Sequence, residues 1–316
     1  MNKPLTGFTG FKRLKEWACM VVGKGAVLCA LLCCALLSCC TSSDSGDFSA
    51  GGGSTLHVVS ASSPVEVTRS VSELTSGSIG VFQTSTSDGY TLQANKEYAY
   101  AAGAWGAVGE DIRLHSADAL ICAYAPYAVS LSDYTAVSLT SGAYDTATDL
   151  SYSTTLAGPV NTLNREVSFT LDHAYARVTL NIRRGSYQGT GAISSITLSG
   201  DGLYSSGTLN LSTGVYSGQV AGAVTLTPGI ASTATDSDTP VYFRLVPAST
   251  LSSGLTLTFV VDGYTLTAST TTYTGLEAGV NYQASVVING QEVTPTDVET
   301  DEWEEVPYDD VIYTGI

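Results

Sequence analysis

Cysteine, basic residues and long apolar runs are what this sequence has least of. It carries seven cysteines in 316 residues, and six of them (positions 19, 29, 33, 34, 39 and 40) crowd near the start. Only Cys122 lies further on, so an internal disulfide is excluded there, and no CxxC or Cys/His metal spacing exists. A lone Cys inside LICAY reads as a small buried hydrophobe. Basic residues number 13 against 29 acids. Five of them (Lys3, Lys12, Arg13, Lys15, Lys24) precede residue 39, where Glu16 is the one acid. The remainder holds 8 basic and 28 acidic residues, a formal charge of about −20. Such a surface repels phosphate backbones and anionic lipid, which excludes nucleic acid as a partner. The longest apolar run, GAVLCALLCCALL, is 13 residues, short of the roughly 20 that a spanning helix needs. HExxH, GxSxG, GxxxxGK[ST] and GxGxxG are all absent, so no enzyme class, cofactor or metal is indicated.

What is present begins with a leader. A basic segment precedes the apolar run, and Leu36-Leu37-Ser38-Cys39 closes it. This pattern predicts a lipoprotein signal over 1–38 with Cys39 as the lipidated residue. A plain signal peptide cut near Ser38 is the alternative. Residues 39–55, rich in Ser, Gly and Asp, read as a flexible tether.

Beyond the tether, Lys, Glu and Gln are scarce and no 3.6 periodicity lasts more than two turns. Period 2 dominates instead. LTLTF (255–259), VTLNI (178–182), YQASVVI (282–288), VYFRLV (241–246) and TLHVV (55–59) all read as strands. The pentapeptide DGYTL occurs at 88–92 and again at 262–266, and Asp-Gly suits a type I′ hairpin. Gly and Ser punctuate the chain at short intervals, as in sandwiches of short antiparallel strands. The Gly-rich RRGSYQGTG (183–191) marks the best boundary, giving all-β modules over 56–186 and 187–316. A boundary near 155–162 is the other candidate.

Sites of chemistry are few. His57, His115 and His173 belong to no catalytic pattern, and His173 reads as a structural polar residue at a strand bend. Asp301, Glu302, Glu304 and Glu305 flank Trp303, and an acidic run of this kind is a solvated face before it is a Ca²⁺ or acid–base site. Trp105, Tyr98 and Tyr100 are candidates for stacking on sugars. The tail 304–316 carries Val306, Tyr308, Val311, Ile312, Tyr313 and Ile316, and Pro307 denies it a central-strand amide. It reads either as an edge strand of its own domain or as a strand offered to another molecule. Arg69 is the only basic residue between Lys24 and Lys96.

The lipobox, TLHVV followed by VTRS, LICAYAPY, FTLDHAYARVTLNI and GLEAGVNYQASVVINGQEV, in that order, resemble the fimbrillin family, the type V pilins of Bacteroides-type bacteria. The resemblance runs from the leader to Trp303. It implies two transthyretin-like or Ig-like Greek-key β-sandwich domains. It also implies an outer-membrane lipoprotein precursor that an Arg-specific protease cuts in the loop after the first strand. On this sequence the cut falls after Arg69, and Ser70 starts the mature subunit. The strand within 55–67 then leaves with the lipid. The implied partners are other pilin subunits, whose C-terminal strand fills the vacated groove. Here the donor residues are Tyr308, Val311, Ile312, Tyr313 and Ile316. Asp309-Asp310 in mid-tail and Pro307 depart from an ideal donor. The alternative is a surface lipoprotein that binds a host protein or glycan and never polymerises.

Overall fold

Period-2 patterning becomes strand along much of the described part of the chain. The computed structural model describes residues 54–64, 71–227, 230–231, 237–289 and 292–302. The first strands are β1 (His57–Pro64), β2 (Val71–Glu73), β3 (Ser78–Gln83), β4 (Gln93–Ala101), β5 (Ala104–Ala107) and β6 (Ile121–Ala125). β7 (Val137–Thr140), β8 (Gly142–Ala143), β9 (Ser151–Ser153), β10 (Glu166–Thr170), β11 (Asp172–His173) and β12 (Ala176–Arg184) follow. Next are β13 (Ala192–Ser199), β14 (Tyr204–Asn210), β15 (Val215–Ala221), β16 (Val224–Leu226) and β17 (Ile230–Ala231). β18 (Thr239–Leu245), β19 (Leu255–Val261), β20 (Tyr264–Thr270), β21 (Val280–Asn289) and β22 (Glu292–Glu302) complete the set. The only helical turn among the described residues is the 3₁₀ segment Thr146–Thr148, capped by the Asp145 side chain.

Two sandwiches result, both within the compact unit Gly53–Ile316. In the first, the sheet β10-β1-β2 faces the six-stranded sheet β11-β9-β6-β3-β4-β5. Leu56, Val58, Ile79, Val81, Ile121, Val167 and Phe169 pack between them. In the second, β22-β21-β12-β18-β8 faces β16-β13-β19-β20 over Val178, Leu180, Ile196, Phe243, Phe259 and Val286. The alternation read in LTLTF holds through β19, whose burial alternates along its whole length.

A third sheet, β15-β14-β7, covers the far face of the six-stranded sheet. Phe82, Cys122 and Tyr124 pack there with Leu139, Leu209 and Val246, while their neighbours Val81, Ile121 and Ala123 point the other way into the first core. β3 and β6 are therefore buried on both faces and read as continuous apolar runs. Cys122 is free and fully buried, as a small hydrophobe should be, and desolvation pushes its thiol up to about 12.

The chain does not switch sandwiches at residue 186. β12 lies before that point, yet it pairs with β18 and, in parallel, with β21. β7 pairs with β14, and β8 with β18, so residues 137–143 also join strands from beyond residue 187. Two arginines, one of them buried, reinforce this crossing. Arg177, 2% exposed, lies 5.2 Å from the Tyr144 ring centroid and 5.6 Å from that of Tyr242. Arg244 stacks on Tyr175 and donates to the Thr148 carbonyl at 2.7 Å.

The repeated DGYTL takes two forms. At the second copy, Asp262 and Gly263 both have positive φ and close a two-residue hairpin between Val261 and Tyr264. At the first copy, Asp88 and Gly89 also have positive φ, but the strands resume pairing only at Gln83 and Gln93. The following tyrosine explains the split. Tyr90 is buried, accepts from His115 N and donates to the Ala117 carbonyl, which holds the loop open, whereas Tyr264 is exposed.

Asp262 also latches the neighbouring loop. It accepts from the Thr190 hydroxyl, from Gly191 N at 3.0 Å and from Ala192 N at 3.1 Å. The Thr190 hydroxyl first, then the Gly191 amide, pull its carboxyl down to about 2. Because the folded value lies below the usual 3.8, the stabilisation is full above pH 3.8 and is lost as pH falls through 2. Asp262→Asn is expected to lower the thermal midpoint at pH 7 and to melt with the unsubstituted protein near pH 2. A gap of the same size at both pH values in a calorimetric titration would refute the latch.

Candidate functional site: the first strand and its slot

β1 is the element on which a strand-exchange function would turn. Its eight residues run parallel to β10, with His57 opposite Glu166 and Ser62 opposite Thr170. A bulge between Val58 and Ser60 shifts the register. On its other side β2 pairs only with the last three residues, Ser62 to Pro64. The segment before β1 is held by Leu56 N to Ile112 O at 2.9 Å and Leu114 N to Ser54 O at 2.7 Å.

The side chains that β1 and the residue before it send inward shrink along the chain. Leu56 and Val58 are buried at the start, then Ala61, then Ser63. Leu56 and Val58 are worth roughly 1.5–3 kcal/mol each on burial, and Ala61 much less. His57 and Val59 face outward. His57 lies 3.8 Å from Glu166 with both side chains exposed, a rim contact of little energetic weight.

Where the inward side chains are smallest, the slot is not filled. A cavity of about 420 Å³ opens beside Ser63, with Leu74, Ile79 and Leu171 on its floor and Ser72, Ser76 and Ser151 around it. His173 and Asp149 line it too, joined by a 2.7 Å bond between Nδ1 and Oδ2. The expected structural role of His173 fits this burial. It stands at the short strand β11 next to the turn into β12, and among the described residues no group of three or more His, Cys, Asp or Glu is placed to hold a metal.

Two of the three aromatic residues read as sugar-stacking candidates are buried in the core. Tyr98 is 2% exposed and Trp105 7%, and both belong to the first core. The Tyr98 hydroxyl donates to Asp111, and burial, reinforced by that carboxylate, drives the phenol strongly upward. Tyr100 is half-buried, edge-on to Trp105 at 5.5 Å between ring centroids. These rings serve packing because period-2 alternation points them at the sheet interior, a fact that residue type alone does not reveal.

The remaining candidates fall elsewhere. Cys39, Arg69, Ser70, Tyr308, Val311, Ile312, Tyr313 and Ile316 lie outside the described residues, as do Trp303, Glu304 and Glu305. Asp301 and Glu302 end β22, which pairs with β21 at the edge of its sheet. Among the described residues no helix is long and apolar enough to cross a membrane. Sequence reasoning missed the cavity, and only the small residues of ASSP (61–64) hinted at it.

Comparison with known proteins places this geometry. A family model described as fimbrillin-like matches residues 68–303, a span that starts beside Arg69 and leaves β1 outside. Among solved structures, a "putative cell adhesion protein" from Bacteroides uniformis is 18% identical, with a TM-score of 0.56 over 78% of this chain and 96% of its own. Another so described, from Bacteroides ovatus, is 17% identical, with a TM-score of 0.57 over 81% of this chain and all of its own. A fimbrial protein from Bacteroides vulgatus is 13% identical, with a TM-score of 0.49 over 79% of this chain and 99% of its own. At these identities the likeness to the first two is one of fold, an all-β sandwich architecture. No curated protein sequence gives a significant match.

Proposed function

The chain belongs to the fimbrillin-like family, and from that footing we propose that it is a structural subunit or adhesin of a fimbrium, assembled by strand donation at the β1 slot. The role is mechanical and adhesive, not catalytic. The precursor is exported, lipidated at Cys39 and held at the outer membrane. An Arg-specific protease cuts between Arg69 and Ser70, β1 departs with the lipid, and the tail of a neighbouring subunit takes its place at the cell surface.

The observation that carries this reading is the placement of β1. It lies between β10 and β2, so its removal would leave β10 with unpaired amides and carbonyls beside an apolar trough. A donated strand restores ladder and packing together, which makes assembly tight without new covalent chemistry. Of the buried residues of the first core, Leu56, Val58 and Ala61 come from the β1 segment, and the others come from elements that follow residue 70. The burial of Tyr98 and Trp105 counts against the glycan-binding alternative in the form that relies on them.

Limited digestion of the purified precursor tests the processing step. An Arg-specific protease is expected to give one stable product whose N-terminal residue is Ser70. An intact precursor, or a first cut at Arg113 or Arg165, would remove the basis of the proposal.

A further inference from the structure

We propose that a cleft between β15 and the loops beside β21 is a binding site for a neutral oligosaccharide, held by fixed tyrosine rings and by polar side chains that the fold leaves uncommitted. None of its lining residues belongs to β1, β2 or β10, so the proposal stands apart from strand donation.

The cleft has a volume of about 810 Å³, within the usual range of ligand sites. β15 forms one wall with Tyr216 and Gln219. The segment 247–249 after β18 and the segment 272–277 before β21 form the others. Backbone bonds fasten these two segments together. Ala248 N donates to Leu276 O at 2.9 Å, Leu276 N to Ala248 O at 2.7 Å, and Leu251 N to Thr274 O at 2.8 Å. The walls are thus held before any ligand arrives, which lowers the ordering cost of binding.

The aromatic groups are fixed as well. Tyr273 and Tyr282 lie edge to face, 5.2 Å between ring centroids. The Tyr273 hydroxyl donates to Gln283 O at 2.6 Å and the Tyr216 hydroxyl to Ala174 O at 3.0 Å, while the Tyr282 hydroxyl accepts from Glu277 N at 2.8 Å. With their hydroxyls engaged in the protein, these tyrosines offer a ligand mainly ring carbon, on which the C–H faces of a sugar can stack. Tyr216, half-buried, is the most accessible of the three.

The polar groups show the opposite pattern. Gln219, Ser249, Thr274 and Glu277 are exposed, and among the described residues none of their side chains is engaged in a hydrogen bond. Together they supply amide and hydroxyl donors, hydroxyl acceptors, and a carboxylate able to accept from two adjacent hydroxyls. The lining holds no Lys, Arg or His, and Glu277 is its one charged residue. A phosphate, sulfate or carboxylate would therefore meet repulsion there with no counter-charge. A hydrocarbon would strip water from the polar wall and replace it with nothing. A neutral sugar, with hydroxyls around its edge and C–H groups on its faces, matches both sets of groups.

The purified precursor on an array of neutral, sialylated and sulfated oligosaccharides tests this, followed by titration calorimetry with the best neutral probe. Neutral oligosaccharides are expected to bind. Glu277→Ala is expected to weaken that binding about tenfold and Gln219→Ala about threefold, with the thermal midpoint unchanged because both side chains are exposed. Val220→Ser, on β15 but outside the cleft lining, is expected to leave the affinity as it was. Absence of binding to every neutral probe, or binding that both cleft substitutions leave intact, would overturn the proposal. Selective binding of sialylated or sulfated probes would overturn it too, because the cleft has no cation to hold them. None of these outcomes depends on cleavage after Arg69, so failure here and failure of strand donation are read separately.

Discussion

Gly80→Val is expected to destabilise the precursor by about 3 kcal/mol or more, the joint cost of overpacking and of a broken buried hydrogen bond. Gly80 lies in the middle of β3, directly opposite Tyr124 of β6. The Tyr124 ring lies across it, so a Cβ at position 80 would press into that ring and, 2.7 Å away, into Asn95 Oδ1. Neither neighbour can retreat. Tyr124 is fully buried, donates to Asn95 Oδ1 at 2.7 Å and accepts from Ala128 N at 3.0 Å. Asn95 sits at φ 46° and donates from Nδ2 to the Ala128 carbonyl. A midpoint drop of roughly 6–12 °C follows for a chain of this size, measurable by differential scanning calorimetry. In a Tyr124→Leu background the same change is expected to cost less than half as much. A full penalty there would mean that the tyrosine ring is not what forbids a side chain.

Deleting residues 307–316 is expected to have the second large effect, on assembly and not on folding. Trimmed protein without the tail retains its strand circular dichroism and forms no polymer. It also remains an acceptor, because its β1 slot is intact. Added to trimmed intact protein it is expected to shorten the polymers in proportion to its share, since each truncated copy receives a strand and passes none on. Polymers of undiminished length in sedimentation velocity would assign the donor strand to some other segment.

How far the sequence led differs from element to element, for physical reasons. LTLTF and VTLNI were legible because alternation is a local signal and both strands do bury one apolar set. The fold class followed from many such segments. The pairing of β1 with β10 and of β12 with β21 was not legible. Each joins residues about a hundred positions apart in parallel register, and nothing local encodes that choice. The pairing of β7 with β14 and of β8 with β18 is likewise between distant segments, and the Gly-rich stretch 183–191 holds the end of β12 and the loop to β13, inside the second sandwich. DGYTL shows the limit in miniature: five identical residues give a tight hairpin once and an open loop once, because Tyr90 finds buried partners and Tyr264 does not. At the candidate site, Arg69 stood out by isolation in an acidic chain. The cavity beside Ser63 depends on side chains from seven strands, a property of the assembled sandwich alone.

The central claim is that removal of β1 licenses assembly, and electron microscopy of the precursor before and after Arg-specific trimming tests it most directly, with Arg69→Ala carried in parallel. Trimmed protein is expected to form filaments and the Arg69→Ala precursor to stay monomeric under the same protease. Filaments from the uncut Arg69→Ala precursor, or trimmed protein that has lost β1 and stays monomeric, would contradict it.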